Sequence, residues 1–261
     1  MILPKSSYAI CLCLLFILNG LSINAQISSP GLGEARSAVW SAIGLKMPLD
    51  TLKHKGSMTY VGWGRKSDRN QMNPFKNQVI WGLSHEIYRS FSPHQQYAYG
   101  ISYFHLTIYD QDVFNKRERA EQEFRFYGRY TYSASLGKRW IWKNTLRQEF
   151  TKFFMSDFGA ASTNFQLRTR VKSQLTYALS AQKNHYLIFS IEELFAINRN
   201  HSKQKWSPYK DKETRVGLYY QFHWRKVPIV TDIGYANDLI RGFHSGVGGV
   251  HYLSLDMIWN L

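Results

Sequence analysis

From Ser37 to Leu261, hydrophobic and polar residues alternate with a period of two in runs of about ten residues or more. Polar breaks, or breaks containing Gly, Pro, Asn or Asp, separate the runs. Eleven runs are readable, at roughly 37-48, 56-67, 77-91, 95-109, 119-135, 138-155, 162-180, 185-198, 213-226, 228-240 and 249-261. A period of two sends successive side chains to opposite faces of a β-strand, so each run predicts a strand with two unlike faces. The clearest lies at 162-177, where Thr163, Phe165, Leu167, Val171, Leu175 and Tyr177 alternate with Asn164, Gln166, Arg168, Arg170, Lys172 and Gln174. One face is mainly apolar and the other is polar and strongly basic. Likewise Phe124, Phe126, Tyr130 and Tyr132 lie opposite Glu121, Glu123, Arg125 and Arg129, and Val216, Leu218, Tyr220, Phe222 and Trp224 lie opposite Arg215, Tyr219, Gln221 and His223.

The length of these runs separates two all-β architectures. Strands of soluble sandwiches usually have five or six residues, whereas a tilted strand crossing a bilayer needs nine to eleven. After Ala25 there are not even twelve consecutive apolar residues, which excludes a membrane-spanning helix there and leaves a closed barrel as the means of spanning. The breaks after 91, 135, 180 and 226 are short, and those after 67, 109, 198 and 240 are longer and polar, as in outer-membrane barrels. Long loops such as Asp110 to Glu118 and Asn198 to Lys212 are therefore expected outside the cell, and short turns in the periplasm. The last run, with Leu253, Leu255, Met257, Trp259 and Leu261 on one face, ends the chain as the amphipathic strand that a barrel assembly machinery reads.

An odd count conflicts with the even strand numbers of single-chain bacterial barrels. Either the stretch from Gln26 to Arg36 adds a strand or a plug, or one run is miscounted, and ten to twelve strands are expected. In 95-109, Tyr97, Tyr99, Ile101 and Tyr103 favour one face while Phe104, Leu106 and Ile108 favour the other, which predicts a bulge.

The first residues read as a targeting signal. Lys5 precedes a short apolar run from Ala9 to Leu18, and Asn19 to Ala25 is small and polar, with Ile23 and Ala25 at the positions that a signal peptidase reads. The expected organisation is a signal peptide over 1-25 and a single barrel domain over 26-261. The apolar run is about ten residues, half of the roughly 20 that a spanning helix needs. Cys11 and Cys13, the two cysteines of the chain, both fall inside it, followed by more apolar residues, which disfavours a lipoprotein. A secreted chain without further cysteine draws its stability from something other than disulfides. With 44% hydrophobic and 16% aromatic residues among 261, disorder is excluded.

Charge adds a candidate interior. The net charge of +15 would suit nucleic acid, but export argues for no nucleic-acid partner. On the strands, one face gathers Glu121, Glu123, Arg125, Arg129, Lys143, Arg147, Glu149, Arg168, Arg170, Lys172, Glu192, Glu213 and Arg215, with opposite signs on neighbouring strands. This face is read as the lumen, filled by a salt-bridged network; the alternative is an anion-attracting pathway, since bases outnumber acids in this set. Side chains of this length leave little room in a barrel of ten or twelve strands, which argues against a wide pore. Lys116, Arg117, Arg119, Lys203, Lys205, Lys210 and Lys212 in the loops and rim are either solvated charges or contacts for lipopolysaccharide phosphates. Trp63, Trp81, Tyr88, Trp140, Trp142, Trp206 and Trp224 lie mostly near run ends, where interfacial girdles form.

The blocks WSAIGLKM, EQEFRFYGRY, LRQEFTKFF, FQLRTRVKSQLTYAL, LIFSIEELF, ETRVGLYYQF, DIGYANDLI and HYLSLDMIW, in this order, resemble the outer-membrane barrels of the domain of unknown function 2490 family over nearly all of the exported chain. The resemblance implies a signal-bearing outer-membrane barrel of a Gram-negative bacterium with no established activity, and it brings no catalytic residues.

Some outer-membrane barrels are lipid-modifying hydrolases or acyltransferases, so serine and histidine positions matter. His85, His105, His223, His244, Ser102 and Ser245 are the candidates, but their spacing assembles no nucleophile, base and orienting group. GFHSG at 242-246 is not the GxSxG elbow and lacks its strand-turn-helix setting. Glu192 and Glu193 are adjacent, so they point to opposite faces and cannot share a site; one is expected at a bulge or interface. No cofactor and no metal are expected. The sequence thus predicts an antiparallel transmembrane β-barrel of about 10-12 strands whose partners are outer-membrane lipid and lipopolysaccharide. The expected role is non-enzymatic, either structural in the envelope or in restricted passage of small solutes. The alternatives are a lipid-modifying enzyme on a barrel scaffold and, further off, a soluble periplasmic β-sandwich.

Overall fold

Alternation along each run becomes inside and outside of one closed wall in the computed structural model, which describes residues 30–109 apart from 34, 53 and 69, then 118–240 and 249–261. The side chains of 108, 109, 118–120, 210 and 211 stand outside that description. Eleven strands follow one another, β1 (Ser37–Pro48), β2 (Lys55–Lys66), β3 (Asn77–Ser92), β4 (Gln95–Tyr109), β5 (Glu118–Ser135), β6 (Trp140–Met155), β7 (Ala160–Ala178), β8 (His185–Asn200), β9 (Lys210–His223), β10 (Ile229–Ile240) and β11 (Gly249–Asn260). Each pairs antiparallel with the next in sequence, and β1 closes on β11. Closure is parallel, from Ser37 opposite His251 to Lys46 opposite Asn260. With eleven strands of alternating direction, the first and last must run the same way. The odd number is therefore resolved by one parallel seam, with neither a miscounted run nor a twelfth strand among the described residues.

The seam decides which end of the barrel β1 enters from. Connections 49–54, 93–94, 136–139, 179–184 and 224–228 lie at one end, with the close of β11. Connections 67–76, 110–117, 156–159, 201–209 and 241–248 lie at the other, with the start of β1. All of the second group are long except 156–159, a tight turn closed by Met155 N–H donating to the Gly159 carbonyl at 2.9 Å, with Phe158 at φ 62°. The chain reaches β1 from within the barrel mouth at this long-loop end. Leu32 is 6% exposed; its N–H donates to Tyr252 Oη at 2.7 Å, and its carbonyl accepts from Lys66 Nζ at 2.9 Å. Ala35 is buried, and the Ser67 hydroxyl accepts from the N–H groups of Arg36 and Ser37. Of the two roles expected for 26-36, the described part is a lining of the lumen mouth; Gln26 to Ser29 and the predicted signal peptide lie outside the described residues.

Registers also fix the stagger. Following partners from Ile43 through β2 to β7 arrives at Arg199 on β8. Going the other way through β11, β10 and β9 arrives at His185, fourteen positions away from 199 on the same strand. A stagger larger than the strand number tilts the strands steeply and widens the barrel enough for long side chains inside. Bulges that adjust the curvature fall at Gly64/Arg65, Ser90/Ser92, Lys152/Phe154, Thr163/Phe165 and Leu194/Phe195. The bulge expected within 95-109 is absent: β4 pairs without a shift against β5 from Gln95 to Tyr109. Tyr97, Tyr99, Ile101 and Tyr103 face outward, while Phe104, 2% exposed, and Leu106 pack inward, so both faces are apolar because the lumen itself is packed.

Inward aromatics lie flat against the wall over glycines of the neighbouring strand. Phe104 covers Gly82, where a Cβ would come within 2.1 Å of its ring, and Trp40 covers Gly62, at 2.3 Å. Only a residue without a side chain admits a ring at that spacing, and each ring in turn shields backbone that the glycine would leave bare. Outside, every strand contributes an exposed large apolar residue: Ile43, Val61, Leu83, Ile101, Phe126, Leu146, Val171, Ile191, Leu218, Ile233 and Leu255.

Candidate functional site: the charged lumen

Period two places odd residues of β5 and β6 and even residues of β7 and β8 on the inner face, and the register then sets charges side by side. Arg129 lies opposite Arg147, and Arg147 opposite Arg170. Like charges directly opposite destabilise a sheet, and the carboxylates one step along the strands offset this. Glu149, fully buried, sits among four guanidiniums: Arg147 Nε at 2.8 Å, Arg170 Nε at 3.2 Å, Arg168 Nη1 at 3.8 Å and Arg125 Nη1 at 3.9 Å. The contacts from Arg147 and Arg170 are close in distance but not directed as hydrogen bonds, so they act as charge contacts. Arg125 Nε also donates to Glu123 Oε1 at 2.5 Å, and Arg168 Nη1 lies 3.2 Å from the same oxygen. Arg170 Nη1 donates to Glu192 Oε1 at 2.6 Å. Seven of the predicted residues, on four strands, thus form one connected set: Glu123, Arg125, Arg147, Glu149, Arg168, Arg170 and Glu192.

The remaining predicted residues are placed around it. Arg215 binds Asp238 through Nε and, at 2.5 Å, through Nη2, a bidentate pairing, and reaches Glu213 Oε1 at 3.1 Å. Arg129 Nη2 donates to Glu86 Oε1 at 2.5 Å. Lys172 is buried with its ammonium 6.0 Å from the Tyr219 ring centre, and Lys143 is half-buried between Ser133 and Gln174. Glu121 is half-buried near the long-loop end, opposite Leu106 and Met155. Aromatic faces take up further positive charge: Arg147 stacks over Tyr127 at 3.7 Å, Arg125 over Phe104 at 4.5 Å and Arg215 over Tyr252 at 5.2 Å.

Four inward acids escaped the sequence reading, namely Glu86, Asp232, Asp238 and Asp256, each at most 3% exposed. They weaken the basic bias, since the thirteen predicted residues contain eight bases and five acids, and these four acids are joined by two further inward bases, Lys46 over the Tyr88 ring and Lys66 at the Leu32 carbonyl, which brings the two signs close to balance. Their signal was present but faint: β10 carries Val230, Asp232, Gly234, Ala236 and Asp238 on one face, small residues and acids without a basic stripe to draw attention. Asp232 and Asp256 stand directly opposite across β10 and β11, and Gln221 Nε2 donates to Asp232 Oδ1 at 2.7 Å. Trp40, fully buried, was likewise missed as a lumen residue. Tyr88, expected in an outer girdle, is 8% exposed and points inward over Gly56; the predicted tryptophans are all 39% or more exposed.

Histidine and serine candidates take other roles in the wall. His85 Nδ1 bonds Thr59 Oγ1 at 2.8 Å, His105 stacks on Trp81 at 5.8 Å, and the Ser102 hydroxyl pairs with that of Ser84 at 2.8 Å. His223 closes β9 half-buried, 3.4 Å from Gln221 Oε1. His244, Ser245 and the GFHSG stretch lie outside the described residues, as do Lys116 and Arg117; the side chains of Arg119 and Lys210 are also undescribed. Glu192 faces the lumen, whereas Glu193 turns outward and accepts from Thr214 Oγ1 at 2.8 Å, immediately before the bulge at Leu194/Phe195. Among the described residues no group of three or more His, Cys, Asp or Glu converges as a metal site. Comparison with protein-family models and with curated proteins finds no match to this chain.

Proposed function

We propose that this chain is an outer-membrane β-barrel of the domain of unknown function 2490 kind, exported by its N-terminal signal and acting without enzymatic chemistry as a closed structural barrel of the envelope. Its long loops face outward and its short turns face the periplasm. The continuous ring of exposed apolar side chains, one from every strand, supports the membrane setting, because soluble monomers rarely expose contiguous apolar patches above a few hundred Å². Within that setting, the observation that carries the closed role is the filling of the lumen. Trp40, Phe104, Tyr127 and Tyr252 are all at most 2% exposed, and guanidiniums of the ion-paired set around Glu149 stack on the Tyr127 and Phe104 rings. Restricted passage of small solutes is the reading that this packing opposes, and the near balance of inward charge removes the basis for anion attraction.

The test is electrophoretic migration with and without heating, on protein extracted from outer membranes, followed by planar-bilayer conductance on the same sample. A heat-dependent shift without discrete conductance steps is expected. Steps in the unmodified protein would overturn the closed role, and recovery only from the soluble periplasmic fraction would overturn the membrane reading.

A further inference from the structure

At the short-turn end, one motif recurs within or beside all five connections: an exposed cation within a few residues of an exposed large apolar side chain. Lys55 follows Leu52, Arg89 precedes Phe91, and Lys138 and Arg139 follow Leu136. Lys183 follows Leu179, and Arg225 and Lys226 follow Trp224. The apolar members are 45% to 72% exposed, so they are free to enter the edge of a hydrocarbon layer while the cations stay at headgroup level. Asp50 is the one acidic side chain among the described residues of these five connections. Two of the guanidiniums are held by neutral partners, Arg139 by Tyr177 Oη at 3.4 Å and Arg225 by Gln182 Oε1 at 2.5 Å, which fixes them at the rim while leaving their charge uncompensated by those partners.

We infer that this rim binds anionic phospholipid headgroups of the leaflet that faces the short turns, the cations contacting phosphate and the apolar members anchoring among the acyl chains. Five separate turns share the pattern although their sequences and lengths differ, and the strands distribute those turns around the whole circumference, so the surface fits a ring of lipids and not one compact ligand. Cations near an anionic surface each strengthen association by about fivefold, and salt screens the effect. The inference rests on the membrane reading above and assigns it a lipid class and a leaflet.

The test is native mass spectrometry of the folded, heat-modifiable protein in detergent micelles supplied with equal phosphatidylglycerol and phosphatidylcholine. Retention of phosphatidylglycerol over phosphatidylcholine by about tenfold or more is expected, declining as salt is raised. Lys138→Gln, Arg139→Gln, Arg225→Gln and Lys226→Gln together should reduce it to about twofold with the heat shift intact. Lys203→Gln with Lys205→Gln, in the long loop between β8 and β9, should leave it unchanged. Equal retention of the two lipids by the unmodified protein overturns the inference even if the combined variant does not fold, and loss in the long-loop variant overturns the choice of leaflet. Protein that shows no heat shift and needs no detergent overturns this and the membrane reading together.

Discussion

Glu149 carries more of the lumen than any other single side chain, because four guanidiniums converge on it where water is excluded. Removing one member of a buried ionic set leaves its partners desolvated and uncompensated, at a cost of about 3–5 kcal/mol. Glu149→Gln should therefore lower the unfolding free energy of the detergent-folded barrel, read from urea titration, by that amount, while Glu193→Gln on the outer face should change it by less than about 1 kcal/mol. The opposite sign is expected at Asp256. Its carboxylate faces that of Asp232 directly, so Asp256→Asn removes a like-charge pairing and should leave stability unchanged or raise it by up to about 1 kcal/mol. A clear loss at Asp256 would mean that this carboxylate serves mainly as a partner for Trp40 and a counter-charge for Lys172. Packing gives a third expectation: Gly82→Ala drives a methyl into the Phe104 ring and should cost about 1–3 kcal/mol, with partial recovery when Phe104→Leu makes room. Without recovery, the clash would lie with the Tyr103 carbonyl, 2.8 Å from the same position.

At the level of the strand, the parallel seam between β1 and β11 is where this barrel departs from antiparallel closure. Ser41 and Leu255 are Cα partners across it, and residues 26–261 carry no cysteine to compete. Ser41→Cys with Leu255→Cys should form a disulfide on oxidation, giving a faster-migrating, reductant-sensitive band, since neighbouring strands bring Cα atoms within the 4.4–6.8 Å that the bond needs. The same substitutions placed at Ser41 and Ile233, a strand further round, should not cross-link. Reversal of that result would mean a different closing pair. All eleven strands were legible from alternation to within three residues at their ends, because in a closed barrel each strand separates the lumen from the outside and the period-two signal is strong on both faces. The exception was β4, where Phe104 and Leu106 made both faces apolar and suggested a bulge. Alternation reports which face a residue takes, and it does not tell an apolar residue facing lipid from one filling a lumen.

On the scale of the whole molecule, an odd strand count, a steep stagger and a mouth lined by Leu32 and Ala35 together produce a barrel with a packed interior. The chain by itself determined the number and lengths of the strands, the basic and acidic stripes and the absence of cysteine beyond position 13, because these are properties of local order in the sequence. Only the tertiary structure decided how the odd count closes, where Leu32 rests, and that Glu86, Asp232, Asp238 and Asp256 join the charges of the lumen. Those outcomes depend on register and stagger, which bring together residues as distant in sequence as Leu32 and Tyr252. No local pattern encodes them, because a strand's alternation is the same whichever neighbour it meets, and the neighbour is chosen only when the whole wall closes.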